Sequence, residues 1–352
     1  MPYNFKFDVV IGNPPYQEET DSDSTRAMPI YHKFMEEAYK IAERVSLITP
    51  ARFLFNAGYT PKAWNEKMLE DEHFKVEYYE QDSTKVFRNT SIIGGVAITY
   101  RDSNVDFGAI GVFSVFPELN GILQKVKEHG NNSFSSIISG QLIYQYTSKL
   151  TEDYPDISGA TMQNGKYLFR TNAFDKFNFI FHDNIPEDGR DYIMILGLQN
   201  NSRVFKWVRR DYITAHVSLD KHKAFISAAN GASGILTNDG AARMISTPLR
   251  GDPGIGTTQT FLTVGAFDTQ GEAEAALKYI RTKFARALLG VLKVTQHNTS
   301  EKWKYVPLQN FTSKSDFDWT KSVPEIDQQL YKKYNLDKSE IEFIESHVQE
   351  MA

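Results

Sequence analysis

The fold of this chain is decided by residues 7–16, Phe-Asp-Val-Val-Ile-Gly-Asn-Pro-Pro-Tyr. Apolar side chains at four of the five positions 7–11 are typical of a buried parallel strand. Gly12 and the two prolines end that strand abruptly. Because proline fixes φ and donates no N–H, the carbonyls beside it are free to face a cleft. The stretch therefore predicts a strand that ends in a stiff polar loop with an aromatic tip.

That loop brings three chemical groups to the carboxyl end of the strand, where open α/β sheets bind their ligands. Asn13 supplies an amide oxygen, Pro14 a backbone carbonyl and Tyr16 an aromatic face. Two acceptors and a ring suit a planar base with an exocyclic amine, because the acceptors hold the N–H groups while the ring stacks. The alternative is a strand that ends in a proline turn with a surface tyrosine.

Strands and helices alternate in the residues that follow the loop. Helical spacing of apolar residues over 29–44 is followed by apolar strand patterns at 45–50, 74–79 and 92–100. This alternation predicts half of a doubly wound α/β sheet. The pair Gly94-Gly95 indicates a bulge or a close approach of two backbone segments.

Residues 7–16 resemble motif IV of the amino-group DNA methyltransferases that act on adenine N6. The resemblance implies that Asn13 and the Pro14 carbonyl accept hydrogen bonds from the adenine amine, while Tyr16 stacks on the flipped base. Pro15 completes the four-residue catalytic motif. The amine would attack the methyl group of S-adenosylmethionine directly. Phe87, in a segment similar to the family's target-base wall, is either a second stacking face or a core side chain.

The same resemblance implies a cofactor site that the sequence does not supply. The family binds S-adenosylmethionine mainly through a glycine-rich strand and turn upstream of the motif, and only six residues precede the matching strand here. We therefore expect the cofactor site on a partner polypeptide, or on an N-terminal half that is missing from the sequence. Asn13 is the one candidate cofactor contact in this chain.

Basic residues are concentrated in one part of an acidic chain. The net charge is −5, but residues 201–300 carry 13 Lys/Arg and 7 Asp/Glu. Cations interleaved with aromatic residues suit contacts to a nucleic-acid backbone and stacking on bases. A solvated strand face is the alternative. The predicted DNA contacts are Arg203, Lys206, Arg209, Arg210, Lys221, Lys223, Lys293 and Gln296.

The C-terminal part of the chain carries the clearest helix signals. An apolar stripe predicts one continuous helix over 271–293. Two capping boxes, Ser322 with Glu325 and Asp337 with Glu340, predict the starts of two tail helices.

The region from about residue 224 onward also resembles a known family. Phe-Leu-Thr-Val-Gly at 261–265 and Glu-Ile-Asp-Gln-Gln-Leu-Tyr-Lys-Lys-Tyr at 325–334 are similar to the target-recognition and tail region of type IIG restriction–modification proteins. We expect a partial methyltransferase domain at 1–104, a mixed α+β target-recognition domain at 105–310 and a helical tail at 311–352.

The leading hypothesis is the catalytic-loop and target-recognition portion of a site-specific adenine-N6 DNA methyltransferase that acts on double-stranded DNA in a restriction–modification system. The runner-up is a non-catalytic DNA-recognition subunit or a degenerate methylase remnant. A third reading is a methyltransferase for RNA or a protein amide. The chain has no cysteine, so disulfides and thiolate zinc sites are excluded and no metal is expected. No apolar run is long enough to span a membrane, and we expect a cytoplasmic protein.

Overall fold

The chain divides into two compact units, residues 1–120 and 121–352, in a computed structural model. The structure describes residues 7–18, 28–56, 59–88, 90, 92, 94–130, 132–157, 162–163, 166–230, 234–237, 240–293 and 296–351. Within these residues, no helix is long and apolar enough to cross a bilayer. The combination of sheets and helices confirms the predicted mixed α/β class. The domain bounds 1–104, 105–310 and 311–352 stay a prediction.

The first unit is built on a four-stranded sheet with the order β1-β2-β4-β3. β1 runs parallel to β2, as predicted, whereas β4 runs antiparallel to both of its neighbours. The sheet is therefore mixed and not wholly parallel. Its strands are β1 (Phe7–Gly12), β2 (Ala42–Pro50), β3 (Phe74–Glu80) and β4 (Val96–Asp102), and its helices are α1 (Tyr31–Ile41) and α2 (Lys62–Leu69).

β1 lies at the edge of this sheet, so the prediction that the strand is buried is wrong. Phe7, Val9 and Ile11 are 54%, 46% and 77% exposed, respectively. Val10, on the opposite face of the strand, packs against the core of the first unit. An apolar run indicates a strand but does not reveal how many neighbours the strand will have. Here the described strands supply one neighbour, β2.

The second unit contains several smaller sheets. Its strands are β5 (Ile138–Ser139), β6 (Met162–Gln163), β7 (Lys166–Tyr167), β8 (Tyr192–Gln199), β9 (Ser202–Arg209), β10 (His222–Ser227), β11 (Leu249–Gly251), β12 (Ile255–Thr257) and β13 (Phe261–Phe267). They form sheets in the orders β11-β10-β13-β5 and β12-β8-β9, with β6 and β7 as a separate pair.

The helices of this part of the chain follow in order. α3 (Pro117–Glu128) spans the division between the units, and the others are α4 (Ser148–Asp153), α5 (Ala173–Lys176), α6 (Gln270–Arg281), α7 (Lys283–Leu289), α8 (Val323–Lys333) and α9 (Lys338–His347).

The helix predicted over 271–293 is two helices, α6 and α7. Thr282 between them adopts an extended conformation, with φ −58° and ψ 146°. Its hydroxyl accepts a hydrogen bond from the backbone N–H of Ala285 at 3.2 Å and so caps α7. The apolar periodicity continues across the break, and this continuity concealed the cap in the sequence.

Both predicted capping boxes are confirmed. The Glu325 carboxylate accepts hydrogen bonds from the Ser322 N–H and hydroxyl at 2.9 and 2.7 Å at the start of α8. At the start of α9, Asp337 accepts from the Glu340 N–H at 3.0 Å, and Glu340 accepts from the Asp337 N–H at 2.8 Å. These contacts are local in sequence, which is why the residue pattern sufficed to predict them.

The close approach predicted at Gly94-Gly95 is confirmed at Gly95. This residue has φ +78°, and a Cβ atom placed on it would lie 2.3 Å from the carbonyl oxygen of Glu80. Its own carbonyl accepts a hydrogen bond from the Ala51 N–H at 3.0 Å. The glycine therefore lets β4 begin directly against the end of β3.

Replacing Gly95 by alanine is expected to destabilise the first unit more than the same change at Gly108. Gly108 also has a positive φ, +74°, but a Cβ atom placed on it would have nothing within 4 Å. Gly108→Ala should therefore cost about 1 kcal/mol for the backbone conformation alone. Gly95→Ala should cost about 3 kcal/mol, because overpacking against the Glu80 backbone adds to that term. Urea unfolding of the two variants measures the difference, and equal midpoints would contradict the close approach.

Candidate functional site

β1 delivers the loop 13–16 to the carboxyl end of the sheet edge. Gly12 is the last residue paired with β2, opposite Leu47, and the chain leaves the ladder at Asn13. The Asn13 side chain is exposed, so its amide is open to a ligand. Pro14 is half-buried and Pro15 is exposed. The loop thus places the Asn13 amide and Pro14 directly after the last paired residue of the strand, and the roles assigned to them stay a prediction.

Tyr16 anchors the far end of the loop. Its backbone carbonyl accepts a hydrogen bond from the Ile30 N–H at 3.1 Å, and its half-buried ring packs against the core of the first unit. Its hydroxyl is buried without a hydrogen-bond partner in the described part of the chain. Burial raises the pKa of Tyr16 to about 12, so the phenol is neutral at pH 7. What Tyr16 offers a ligand is therefore its ring.

Phe87 lies beside Tyr16. The two ring centroids are 6.4 Å apart with an interplanar angle of 65°, an edge-to-face contact. Phe87 is half-buried and stands at the surface side of the unit, and the adjacent Arg88 is exposed. The structure thus brings together the two aromatic residues that the sequence assigned to a base pocket, although 71 positions separate them in the chain.

Ser83 holds the segment that carries Phe87, and sequence reasoning missed it. The carbonyl of this buried serine accepts from the Phe87 N–H at 2.8 Å. Its hydroxyl donates to the Thr90 carbonyl at 2.9 Å and accepts from the Ile92 N–H at 2.7 Å. A serine in a turn-rich stretch is usually solvent-exposed, so no residue pattern distinguished this one. Its three bonds restrain the backbone of the segment that carries Phe87.

The four loop residues fit a base amine better than they fit S-adenosylmethionine. The carboxylate of S-adenosylmethionine needs hydrogen-bond donors, and two of the four residues are prolines without an N–H. Asn13 alone offers a polar side chain with a donor, apart from the Tyr16 hydroxyl, which is buried. In the described ranges, no group of three or more His, Cys, Asp or Glu could hold a metal ion.

Four of the predicted DNA contacts are paired with carboxylates. Three of those carboxylates, on Asp153, Asp183 and Asp191, lie outside residues 201–300, so counting charge in that window overstated the local positive charge. The ion pairs are Lys206 with Asp183, Arg209 with Asp153 and Asp211, Arg210 with Asp191 and Asp220, and Lys221 with Asp268.

Two further predicted contacts, Lys223 and Lys293, are fully buried. The three N–H groups of the Lys223 ammonium lie within hydrogen-bond distance of four backbone carbonyls, and the Lys293 ammonium donates to the Gly234 carbonyl at 2.5 Å. Burial lowers the pKa of each to about 8. As placed, these cations stabilise the fold and do not reach a nucleic acid. Gln296 is exposed, and Arg203 is half-buried and forms no ion pair within the described residues.

Comparison with known proteins gives three similarities. Residues 3–87 match the Eco57I restriction-modification methylase family. An uncharacterized adenine-specific methylase from Mycoplasma pneumoniae is 25% identical over 166 residues, which cover 45% of this chain and 39% of the relative. The solved type IIG restriction endonuclease BpuSI aligns with 93% of this chain and 49% of its own, at 10% identity and a TM-score of 0.30. The chain thus spans less than half the length of either relative.

The family match covers the parts of the site just described. Asn13, Tyr16, Ser83 and Phe87 all lie within residues 3–87. Together with the adenine-specific relative, this match confirms the resemblance predicted from residues 7–16. Through its first 87 residues, the chain is similar to the adenine methylases of restriction–modification systems.

Proposed function

We propose that this chain is the catalytic-loop and target-recognition portion of an adenine-N6 DNA methyltransferase from a restriction–modification system. The observation that carries the proposal is the grouping of Asn13, Pro14, Tyr16 and Phe87 within a segment that matches a methylase family. The exposed amide and the adjacent carbonyl are acceptors, and the two rings are apolar surfaces. This combination is the complement of a flipped adenine.

Each group has a distinct task toward the adenine. The Asn13 Oδ1 and the Pro14 carbonyl accept hydrogen bonds from the two N–H groups of the amine, which orients the nitrogen and increases its electron density. Tyr16 stacks on the base, and this compensates part of the few kcal/mol that unstacking from the duplex costs. Phe87, held by Ser83, closes the side of the pocket.

The methyl donor would be S-adenosylmethionine, held by a cofactor-binding half outside the described residues. β1 supports this part of the proposal because no described strand pairs with its outer edge and one face carries exposed Phe7, Val9 and Ile11. An apolar edge strand is a template for another strand. We propose that a strand of the cofactor-binding half pairs with β1 and covers these side chains.

Methyl transfer from labelled S-adenosylmethionine to unmethylated duplex DNA tests the function, with the chain alone and with the protein encoded immediately upstream. We expect transfer only when both are present. Asn13→Ala should lower the transfer rate by about 10²-fold or more, because it removes an acceptor aimed at the reacting amine, and should leave DNA affinity unchanged. No transfer in any combination would favour the non-catalytic recognition subunit, and competition by structured RNA would favour an RNA substrate.

Two substitutions at Tyr16 separate its ring from its hydroxyl. Tyr16→Phe keeps the ring and removes a buried hydroxyl that has no described partner, so transfer should stay within about twofold of wild type. Tyr16→Ala removes the stacking surface, which is worth about 1–3 kcal/mol per base, and should lower transfer by about tenfold or more. A thermal unfolding curve for each variant is the control for folding. A large loss in Tyr16→Phe would mean that the hydroxyl acts in the reaction.

The role of β1 in binding the cofactor half is tested by a charge on its open face. Ile11→Lys should leave the chain folded, because the side chain is 77% exposed, and should abolish transfer that depends on the upstream protein. Val217→Lys is the matched control, since Val217 is an apolar residue that is 73% exposed in the second unit. Co-purification of the two proteins reports binding directly. Equal co-purification of both variants would exclude β1 from the interface.

A further inference from the structure

A polar cavity of about 340 Å³ opens on the second unit, and one of the predicted DNA contacts, Arg203, lies in its wall. The side chains of Arg203, Asn230, Arg243, Ser246 and Thr247 line it. None of these residues is acidic. The cavity is therefore a concave surface on which hydrogen-bond donors and hydroxyls predominate.

The two arginines of the cavity are held together by one residue. Arg203 donates to the Thr247 carbonyl at 2.7 Å, and Arg243 donates to the Thr247 hydroxyl at 2.6 Å. Neither guanidinium forms an ion pair in the part of the chain that the structure describes, whereas Arg209, Arg210 and Arg250 each do. Burial, and then the charge of Arg243, lower the pKa of Arg203. Two like charges thus lie near each other without a described counter-charge.

Asn230 adds an unsatisfied polar group to the same wall. It is 9% exposed, and its Oδ1 has no hydrogen-bond partner among the described residues. Its Nδ2 donates to the Ser246 hydroxyl at 2.9 Å. The unpaired Oδ1 is closed to solvent, so Asn230 shapes the wall, and the side chains that offer charged donors to the cavity are Arg203 and Arg243.

The backbone around Arg243 is fixed on both sides. The following residue, Met244, is buried in a left-handed conformation with φ +68°, which is unfavourable for a side chain of this size. The Arg243 carbonyl accepts from the buried Arg286 guanidinium at 3.1 Å. On the other side, the Ala242 N–H donates to the His347 carbonyl at 2.8 Å. Such restraint keeps the donor set in place without a ligand.

We propose that this cavity binds a phosphate group through Arg203 and Arg243. A phosphate is rich in acceptors, carries the negative counter-charge that the two guanidiniums lack among the described residues, and suits the planar donor set of arginine. The source of the group rests on the proposed function: in a DNA methyltransferase it is a phosphate of the DNA backbone, which would position the second unit on the duplex without reading sequence.

The first test uses inorganic phosphate and the full chain. Phosphate, compared with chloride at equal ionic strength, should raise the unfolding temperature of the wild type, because a ligand of the folded state stabilises it. The same rise is expected for Arg250→Ala, which removes an exposed arginine that is paired with Asp252 and Glu274. Arg243→Ala should abolish the rise. No rise in the wild type would overturn the proposal even if the variants failed to fold.

The second test identifies the source of the phosphate. DNA affinity is measured by fluorescence anisotropy over a range of salt concentrations, with several unrelated duplexes. Arg243→Ala should weaken binding about tenfold and reduce the slope of log affinity against log salt by about one, equally for every duplex. Arg250→Ala should change neither quantity.

The outcomes separate this proposal from the proposed function. Stabilisation by inorganic phosphate with an unchanged salt slope would overturn DNA as the source. A loss confined to one duplex sequence would mean a base contact and would overturn the phosphate assignment. Both readouts are independent of methyl transfer, so an inactive methylase would leave them intact. Failure of the transfer assay alone would count against the proposed function and not against this site.

Discussion

The parallel ladder between β1 and β2 determines what the loop 13–16 can do. Pairing ends at Gly12, and only four residues later the Tyr16 carbonyl is bonded to the Ile30 N–H. Two of the residues between those anchors are prolines, whose φ angles are already fixed. The Asn13 amide and the Pro14 carbonyl therefore hold their positions with little loss of backbone entropy when a ligand binds. Among the described strands the other edge of β1 has no partner, so the loop 13–16 and the proposed interface belong to one strand.

The distribution of charged residues along the sequence does not reveal the local surface charge of the second unit. The cations of residues 201–300 suggest a nucleic-acid surface, yet several of them pair with aspartates that come from residues 153–191. A paired lysine or arginine keeps its charge, but the pair contributes a much weaker electric field, because the negative charge of the carboxylate cancels most of the field of the cation. What attracts a phosphate is a cation without a partner. Arg203 and Arg243 have no carboxylate partner among the described residues, whereas Lys206, Arg209, Arg210 and Lys221 each have one.

The capping boxes and the turn at Gly95 could be predicted because each depends on near neighbours in the chain or on the backbone conformation of a single residue. The box of Asp337 and Glu340 closes within four residues, and the turn at Gly95 follows from one conformational requirement. The predictions that were wrong depend on remote partners. The exposure of β1 follows from how many strands pair with it, and the break at Thr282 from a cap inside an uninterrupted apolar pattern.

The candidate site likewise combines residues that are adjacent in the sequence with residues that meet only in the folded chain. Residues 13–16 are contiguous, so their chemistry was visible in the sequence. The contact between Tyr16 and Phe87 is long-range, and a family resemblance rather than any local pattern pointed to Phe87. Ser83 could not be identified from the sequence, because its hydroxyl has a structural role only where the folded chain buries it. Asn230 and Arg243 were missed for a similar reason, because what distinguishes them is visible only in the folded chain. Among the described residues, the Asn230 Oδ1 has no hydrogen-bond partner and Arg243 has no carboxylate partner.

Two buried cations, Lys293 and Arg286, bond to backbone carbonyls in the wall of the second unit's cavity. Gly234 and Arg243 both line that cavity, and each is held from the interior by a cation. The Lys293 ammonium bonds the Gly234 carbonyl, and a Cβ atom on Gly234 would lie 2.8 Å from that nitrogen. Arg286 bonds the Arg243 carbonyl in the same way. Burying these charges is costly, and the cost is tolerable only where carbonyl groups compensate it. Lys293 would thus support phosphate binding without contacting the phosphate, because it holds the Gly234 carbonyl of the cavity wall from the protein interior.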